Sequence, residues 1–468
     1  MPAPWPITSA EPLRSRPLRL RATSVKDSPM EREALRDLPP EGVKGMDLPP
    51  SSVPSPQAAL LTRAYPPELI GSAPQCADLA EWLTRLGCET TVFTGLPYYP
   101  GNEIFTQYKD FKGGHEVLNG VRVERLRAMI PRKGSAKARI LAEASFLLAG
   151  LWARASGRLR PKPLVISLCP SILTVALGCL VRQRDGRHVA IIHDIQSGMA
   201  QGLNMVSSGG LVKAMRWCER TVLNRVDLIV VLTDHMAEQL RNLGVTQDIE
   251  VVPIWVDTDR LYPDAPKVPA NDGPAIIPAP KIAARLLYSG NFGLKQGLGQ
   301  VLSMAEELQR QTDDVEIILR GSGAMRATLE EEIAARALRR VRVTGLLPPD
   351  QLRQGLTEGD IHLVPQEPEA AAFAIPSKIF NIMAVGRPFV TTANPHSPLW
   401  HLRERSGAFI CVPPHDTAAF TEAVLRLVRD AGLRRELGAR GRRFVEQHYS
   451  RSHVLGGLVR RLDALYAK

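Results

Sequence analysis

One pattern, a short apolar strand followed by an amphipathic helix, runs twice through the chain. In the first run AALLTRAY, ETTVFTG, PLVISL, HVAIIHD and VDLIVVLT read as strands, AALLTRAY being a poor one. Between them lie helical segments such as APQCADLAEWLTRLG, where Leu79, Leu83 and Leu86 share a face and Gly87 supplies the stop. The second run contains ARLLYSG, VEIILRG, VRVTG, DIHLVP, RPFVTTA and AFICVP. Strands that alternate with helices pair in parallel, because each crossover helix returns the chain to the same end of the sheet. The helices then cover both faces. A linker rich in proline, glycine and alanine, DAPKVPANDGPAIIPAP, separates the runs. The expectation is an α/β chain of two doubly wound domains, residues 57–265 and 282–445, joined by 266–281. Ligands in such sheets bind at the carboxyl ends of the strands, here in the cleft between the domains. Residues 446–468 add a helix expected to pack back towards the first domain. Residues 1–56 hold twelve prolines and little hydrophobic periodicity, so they are expected to be disordered.

Charge narrows the partners. Across 468 residues the formal net charge is +11, which favours nucleic acid, an anionic membrane or a phosphorylated ligand. Nucleic acid ranks last, because aromatic residues are 5% of the chain and no recognition motif appears. The six cysteines form no C-x-x-C pair, which argues for a reducing cytoplasm over a zinc site or a disulfide framework. No apolar run is long enough to span a bilayer, and the N-terminus lacks a secretory signal.

Four strand-to-helix junctions carry residues suited to an anion. YPPELIGSAP places Gly71 and Ser72 before a helix, where backbone N–H groups can approach a ligand; a plain turn accounts for it equally well. AIIHDIQSG puts His193 at the end of a strand, able to donate to a hydroxyl or phosphate, or simply to satisfy a backbone carbonyl beside Asp194 as a helix cap. LLYSGNFGLKQGL surrounds Asn291 with Ser289, Gly290 and Gly293 and brings Lys295 to the start of the next helix. IPSKIFNIMAVGRP reads as a small helix ended by a glycine, with Ser377 and Lys378 at its start. Two lysine-bearing helix starts in one domain suit a diphosphate better than a single phosphate. LRGSGAMR imitates a dinucleotide fingerprint without its third glycine, so Gly321 and Gly323 are expected to form a tight turn near a nucleotide.

From about Ala58 to the C-terminus the sequence resembles the retaining GT-B glycosyltransferases of family four. The likeness is to the bacterial exopolysaccharide and O-antigen subgroup, which includes colanic-acid-type and fucosamine transferases. It rests on YPPELIG, LAEWLTRLGCETTVFTGLPYYP, VVPIWVDTDRLYP, YSGNFGLKQGL and IPSK followed by FNIMAVGRP, in that order and spacing. The resemblance implies that the second domain holds a nucleotide-sugar donor, with the diphosphate on the loop after its first strand. It matches Lys295 to the family's phosphate-binding lysine, and Ser377 and Lys378 to a second phosphate contact. It puts Gly321 and Gly323 beside the ribose and base, and Asn381 on a ribose hydroxyl. Three departures stand out: Phe373 and Asn381 replace a pair of glutamates, Gly71-Ser72 replaces Gly-Gly, and Arg63 enters a first strand that is normally apolar.

The expected reaction moves a sugar with retention onto a growing, lipid-linked saccharide in surface polysaccharide synthesis. His193, Lys295 and Lys378 are the catalytic candidates; Gly71, Ser72, Gly290, Asn291, Gly321, Gly323, Ser377 and Asn381 bind the donor. No metal and no cofactor beyond the nucleotide-diphosphate sugar are expected; Lys295 and Lys378 are expected to stabilise the departing diphosphate. Between Arg122 and Lys162 eleven basic and two acidic residues flank the apolar stretch ILAEASFLLAGLWA. That suits an interfacial helix on anionic lipid at the inner face of the plasma membrane, against which stands an ordinary buried helix with solvated flanks. A weakened scaffold without transferase activity is the alternative that Phe373, Asn381 and Arg63 favour. A sugar-nucleotide epimerase would need cleft carboxylates that the sequence does not offer.

Overall fold

The structure is a computed structural model, and it describes residues 57–68, 72–98, 103–111, 114–131, 136–169, 171–195, 209–264, 282–368 and 375–466. The extension 1–56, the linker 266–281, Gly71 and Phe373 lie outside the described residues. The first domain contains β1 (Gln57–Leu61), α1 (Ala73–Arg85), β2 (Glu89–Gly95), β3 (Gly114–Leu118), β4 (Val121–Leu126), α2 (Ala136–Ala155) and β5 (Lys162–Cys169). It continues with α3 (Ile172–Val181), β6 (Arg182–Ile192), α4 (Gly209–Leu223), β7 (Leu228–Val231), α5 (Asp234–Asn242) and β8 (Ile249–Val251). Its strands form one sheet in the order β3-β4-β2-β1-β5-β6-β7-β8, parallel except for β3 against β4.

The second domain contains β9 (Ala284–Asn291), α6 (Leu298–Gln311), β10 (Val315–Ser322), α7 (Arg326–Ala335), β11 (Val341–Thr344), α8 (Leu352–Thr357) and β12 (Ile361–Val364). Then follow α9 (Lys378–Ala384), β13 (Phe389–Thr392), α10 (Pro398–Ser406), β14 (Ile410–Val412), α11 (Thr417–Arg429) and α12 (Ala431–His448), and after the second domain the chain ends in α13 (Arg451–Tyr466). Its sheet is wholly parallel, in the order β11-β10-β9-β12-β13-β14. Both sheets are the doubly wound arrangement that the alternation requires, and together they make the GT-B fold.

Two local readings change. The first strand ends at Leu61, and Ala58 to Leu61 are fully buried, so Arg63 stands beyond the strand and leaves its core apolar. The β3–β4 hairpin is absent from the alternation read off the sequence. Its turn is Asn119-Gly120, both at positive φ (50° and 80°), the backbone that an Asn-Gly pair adopts most readily in a two-residue hairpin.

The last helix belongs to the first domain's core. Val454, Leu455, Leu458, Val459, Leu462 and Leu465 pack with Leu60, Leu79, Leu83 and Val92. Each such side chain contributes roughly 1.5–3 kcal/mol by leaving water. The chain therefore passes between the domains twice, and the two passages are bonded to each other. The Val256 N–H donates to the Tyr449 carbonyl at 2.9 Å, and the Arg451 N–H donates to the Val256 carbonyl at 2.9 Å. Asp78 on α1 accepts from Trp255 Nε1 at 3.0 Å and pairs with Arg451 at 3.4 Å, tying that helix to both passages.

Arg125, at 1% exposure, organises the carboxyl edge of the first sheet. It pairs with Glu116 at 2.6 Å, donates to the Gly95 carbonyl at 3.2 Å and to the Pro66 carbonyl, and lies 4.9 Å from the Tyr108 ring centroid. A buried guanidinium is tolerable only when its donors are met in this way. Replacing it, as in Arg125→Met, takes this donor from two carbonyls and leaves the Glu116 carboxylate with the Tyr108 hydroxyl, at 3.0 Å, but no cation. We expect a loss of about 2–4 kcal/mol, read as a lower urea midpoint at unchanged m-value; an unchanged midpoint refutes this account of the edge.

Candidate active site

The second domain's first two strands run in register, so Gly290 lies beside Gly321 and Asn291 beside Ser322 where both strands end. Their loops touch closely. A Cβ at Gly321 would stand 2.0 Å from the Gly290 carbonyl oxygen, and one at Gly323 2.5 Å from the Phe292 carbonyl oxygen. The two glycines of LRGSGAMR thus serve first to let one loop rest against the other.

Beneath these loops lies Lys378, the first residue of α9. Ser377 before it is exposed and makes no side-chain cap, and Gly386 (φ 65°) follows the helix where the sequence places its stop. The lysine folds under the end of β9. Its Nζ is 3.9 Å from the Tyr288 ring centroid, is shielded from solvent and has no hydrogen-bond partner among the described residues. It also lies 3.4 Å from the point where a Cβ on residue 290 would stand, so glycine there opens the approach. Tyr288 is itself held in place: its Oη donates to the Asn291 carbonyl at 2.6 Å, and burial pushes its phenol pKa up. Burial pulls the Lys378 ammonium from its ordinary value of 10.5 down to about 7. A ring face returns part of the lost solvation of a cation, but an anion returns far more.

Lys295 is of a different kind, although the sequence presents the two lysines as a pair. It is exposed on the short turn Leu294–Gln296, ahead of α6, and its carbonyl accepts from the Glu367 N–H at 3.3 Å. Gly297, in the left-handed conformation (φ 61°), starts α6. There Gln300 donates to the Gln366 carbonyl at 3.0 Å and accepts from the His415 N–H at 3.1 Å. The lysine-bearing turn is thereby anchored to the ends of β12 and β14. Asn291 is exposed at the loop's tip, and Asn381 is half-buried one helical turn beyond Lys378.

The other candidates stand on the first domain. His193 follows β6 at the carboxyl edge, its N–H donating to the Cys169 carbonyl at 3.4 Å. Burial lowers its imidazole pKa from 6.5 to about 4, so the ring is neutral near pH 7 and offers one donor and one acceptor. Ser72 precedes α1 and caps it through its backbone carbonyl, which accepts from the Cys76 N–H at 2.9 Å. Contacts within the second domain gather Lys378, Gly290, Gly321, Gly323 and Asn291 around Tyr288 and Phe292. Sequence reasoning missed Tyr288, Gln300 and Arg125. Tyr288 carried a signal, a large aromatic one residue before the small-residue loop.

Residues 71–255 match the Glycosyl transferase 4-like domain family, and residues 283–430 match Glycosyl transferases group 1. The chain is a glycosyltransferase of this group. Among similar proteins is the putative colanic acid biosynthesis glycosyl transferase WcaI of Escherichia coli (strain K12), 29% identical over 400 residues, 84% of this chain and 96% of that one. The probable glycosyltransferase WbjE of Pseudomonas aeruginosa is 24% identical over 60% of this chain and 69% of its own. Sucrose-phosphate synthase from Thermosynechococcus elongatus shares the fold at a TM-score of 0.64 and 20% identity, covering 87% of this chain and 99% of its own. Anabaena HepE, solved in complex with UDP, aligns at a TM-score of 0.59 and 15% identity over 87% of this chain and all of its own.

The depressed Lys378 pKa sets a pH dependence for this glycosyltransferase. Above pH 7 the free site holds a largely neutral amine, and an anion binding beside it would draw a proton onto it. Tested with UDP as the probe anion, binding at Lys378 predicts an affinity that falls as pH rises from 7 to 9, by up to about tenfold per unit, with net proton uptake in calorimetry across buffers of different ionisation enthalpy. Lys378→Met should bind more weakly and lose this slope. Equal slopes in the two proteins exclude Lys378 from the phosphate site.

Proposed function

We propose that this glycosyltransferase moves a sugar from a nucleoside-diphosphate donor, with retention of configuration, onto a lipid-linked saccharide during bacterial surface polysaccharide assembly. The observation that carries this reading is the Lys378 Nζ, solvent-shielded and unpartnered under the end of β9. A cation in that state lowers the energy of an oxyanion forming beside it far more than a solvated one does. As the anomeric bond breaks, the diphosphate gains charge, and Lys378, Lys295 and the N–H groups of the Gly290–Asn291 loop receive it. The acceptor oxygen attacks from the face the diphosphate leaves, and the departing phosphate oxygen takes the acceptor's proton. The two lysines supply the positive charge, so the reaction proceeds without a metal. Neutral His193 donates to a hydroxyl of the donor sugar, the N–H of Ser72 approaches the phosphate from the first domain, and Asn381 and Ser377 complete the donor contacts.

Helix α2 supports a membrane-bound acceptor. No described helix is long and apolar enough to cross a bilayer. The stretch from Ile140 to Ala153 is instead two-faced: Ala142, Phe146 and Ala153 are buried in the domain, whereas Ile140, Leu141, Leu148 and Trp152 are exposed, Trp152 at 72%. An ordinary core helix does not turn a tryptophan and three aliphatic side chains to water. With Arg154, Arg158 and Arg160 exposed beside them, the face suits the interface of an anionic bilayer on the cytoplasmic side.

Two experiments bear on this reading. With a panel of nucleotide sugars and membrane-extracted acceptor, Lys378→Ala should cut kcat on the order of 100- to 1,000-fold, and NMR of the early product should show the donor's anomeric configuration. Unchanged turnover removes the lysine, and an inverted product removes retention. In flotation with phosphatidylglycerol vesicles, the wild type should rise with the lipid in low salt and Leu148→Glu/Trp152→Glu should stay below; equal flotation of the two rejects the interfacial helix.

A further inference from the structure

Arg63 has a charge that no carboxylate among the described residues neutralises. It stands two residues beyond β1, at the carboxyl edge of the central strand of the first sheet, where doubly wound domains bind ligands. Its Nη2 donates to the Met129 carbonyl at 3.3 Å, and its guanidinium lies 6.0 Å from the Phe146 ring centroid. Its Nε is shielded from solvent and has no hydrogen-bond partner. No carboxylate pairs with it among the described residues, in contrast to Arg125 on the same edge, which holds Glu116 at 2.6 Å. A guanidinium whose Nε is cut off from water has lost part of its hydration, and an anion replaces that loss better than a neutral carbonyl does.

Its neighbours indicate where that anion comes from. Phe146 lies on the buried face of α2, whose other face carries Leu141, Leu148 and Trp152. Met129 is exposed, and its N–H donates to Ser145 Oγ of the same helix at 2.8 Å. The guanidinium thus sits between the sheet edge that faces the reaction and the helix that carries the apolar surface patch. We propose that Arg63 receives a phosphate of the lipid-linked acceptor and so selects acceptors that carry a diphosphate between lipid and sugar. This rests on the reading of α2 and the acceptor given above. The residue type that counts against an apolar first strand becomes a specificity determinant once the strand ends before it.

The test uses the full chain saturated with UDP, so that the donor's phosphate contacts are filled, and titrates it with farnesyl diphosphate in uncharged detergent. The wild type should bind, Arg63→Gln about tenfold more weakly, as the loss of one charge-assisted hydrogen bond implies, and Arg63→Lys in between. Farnesol should bind the wild type and Arg63→Gln equally, which a packing role for the side chain would not allow. UDP affinity should be the same in all three proteins, and if Arg63→Gln proves unstable, the farnesyl diphosphate to farnesol preference of Arg63→Lys decides instead. No binding of farnesyl diphosphate by the wild type, or equal binding by the variants, overturns the proposal. Phosphatidylglycerol vesicles separate the other source of phosphate: if Arg63→Gln loses vesicle binding in proportion, the residue reads headgroups and the acceptor assignment falls. Failure of the underlying reading looks different. The enzyme then glycosylates a soluble saccharide as well as a lipid-linked one, whatever stands at position 63, and this proposal falls with it.

Discussion

A lysine ammonium shielded from water, with no counter-ion among the described residues, is the constraint around which the ligand edge of the second domain is arranged. Holding Lys378 in that state costs folding free energy, which only an anion can restore in full. The in-register ends of β9 and β10, the glycines that let their loops touch, and the Tyr288 ring beside the ammonium together hold this position, with no side chain on residue 290 standing over it. Gln300 plays the same part for the turn that carries Lys295, bonding it to the ends of β12 and β14. Charge placed in advance, at a site that need not reorganise, stabilises a departing diphosphate more than flexible surface cations do.

The first domain treats its arginines by the same rule with opposite outcomes. Arg125 is buried and fully met, and it fixes the edge. Arg63 is half-buried and only partly met, which leaves it available to a ligand. Helix α2 shows a comparable division between its faces, one packed into the domain and the other exposed. The passages between the domains are joined through Asp78, Trp255 and Arg451, so α1, which starts just after Ser72, is fixed to the two segments on which any relative movement of the domains would turn.

Much of this was legible in the sequence for a simple reason. Strand and helix periodicities are local properties, so every strand of the second sheet was named, as were those around the first domain's centre. Hairpin β3–β4 escaped because its strands carry charged residues, as in GHEVL and VRVERL, and only the Asn-Gly turn announced it. The donor-side loops were visible through glycine, serine and lysine next to strand ends. Tyr288 was hidden in plain view, because an aromatic in a core strand reads as packing until its partner is known.

Residue order alone determined that there are two doubly wound domains and that anion-seeking residues gather at the ends of their strands, since both follow from short-range pattern. It also supplied the order of motifs that marks a glycosyltransferase. Only the tertiary structure decided what each charged side chain experiences. Lys378 and Lys295 look alike in a string of letters, as do Arg63 and Arg125, yet what each meets is set by folding: Lys378 by Tyr288, Arg63 by Met129 and Phe146, and Arg125 by Glu116 across a hairpin. Hydration and pairing are properties of place, and place exists only after folding.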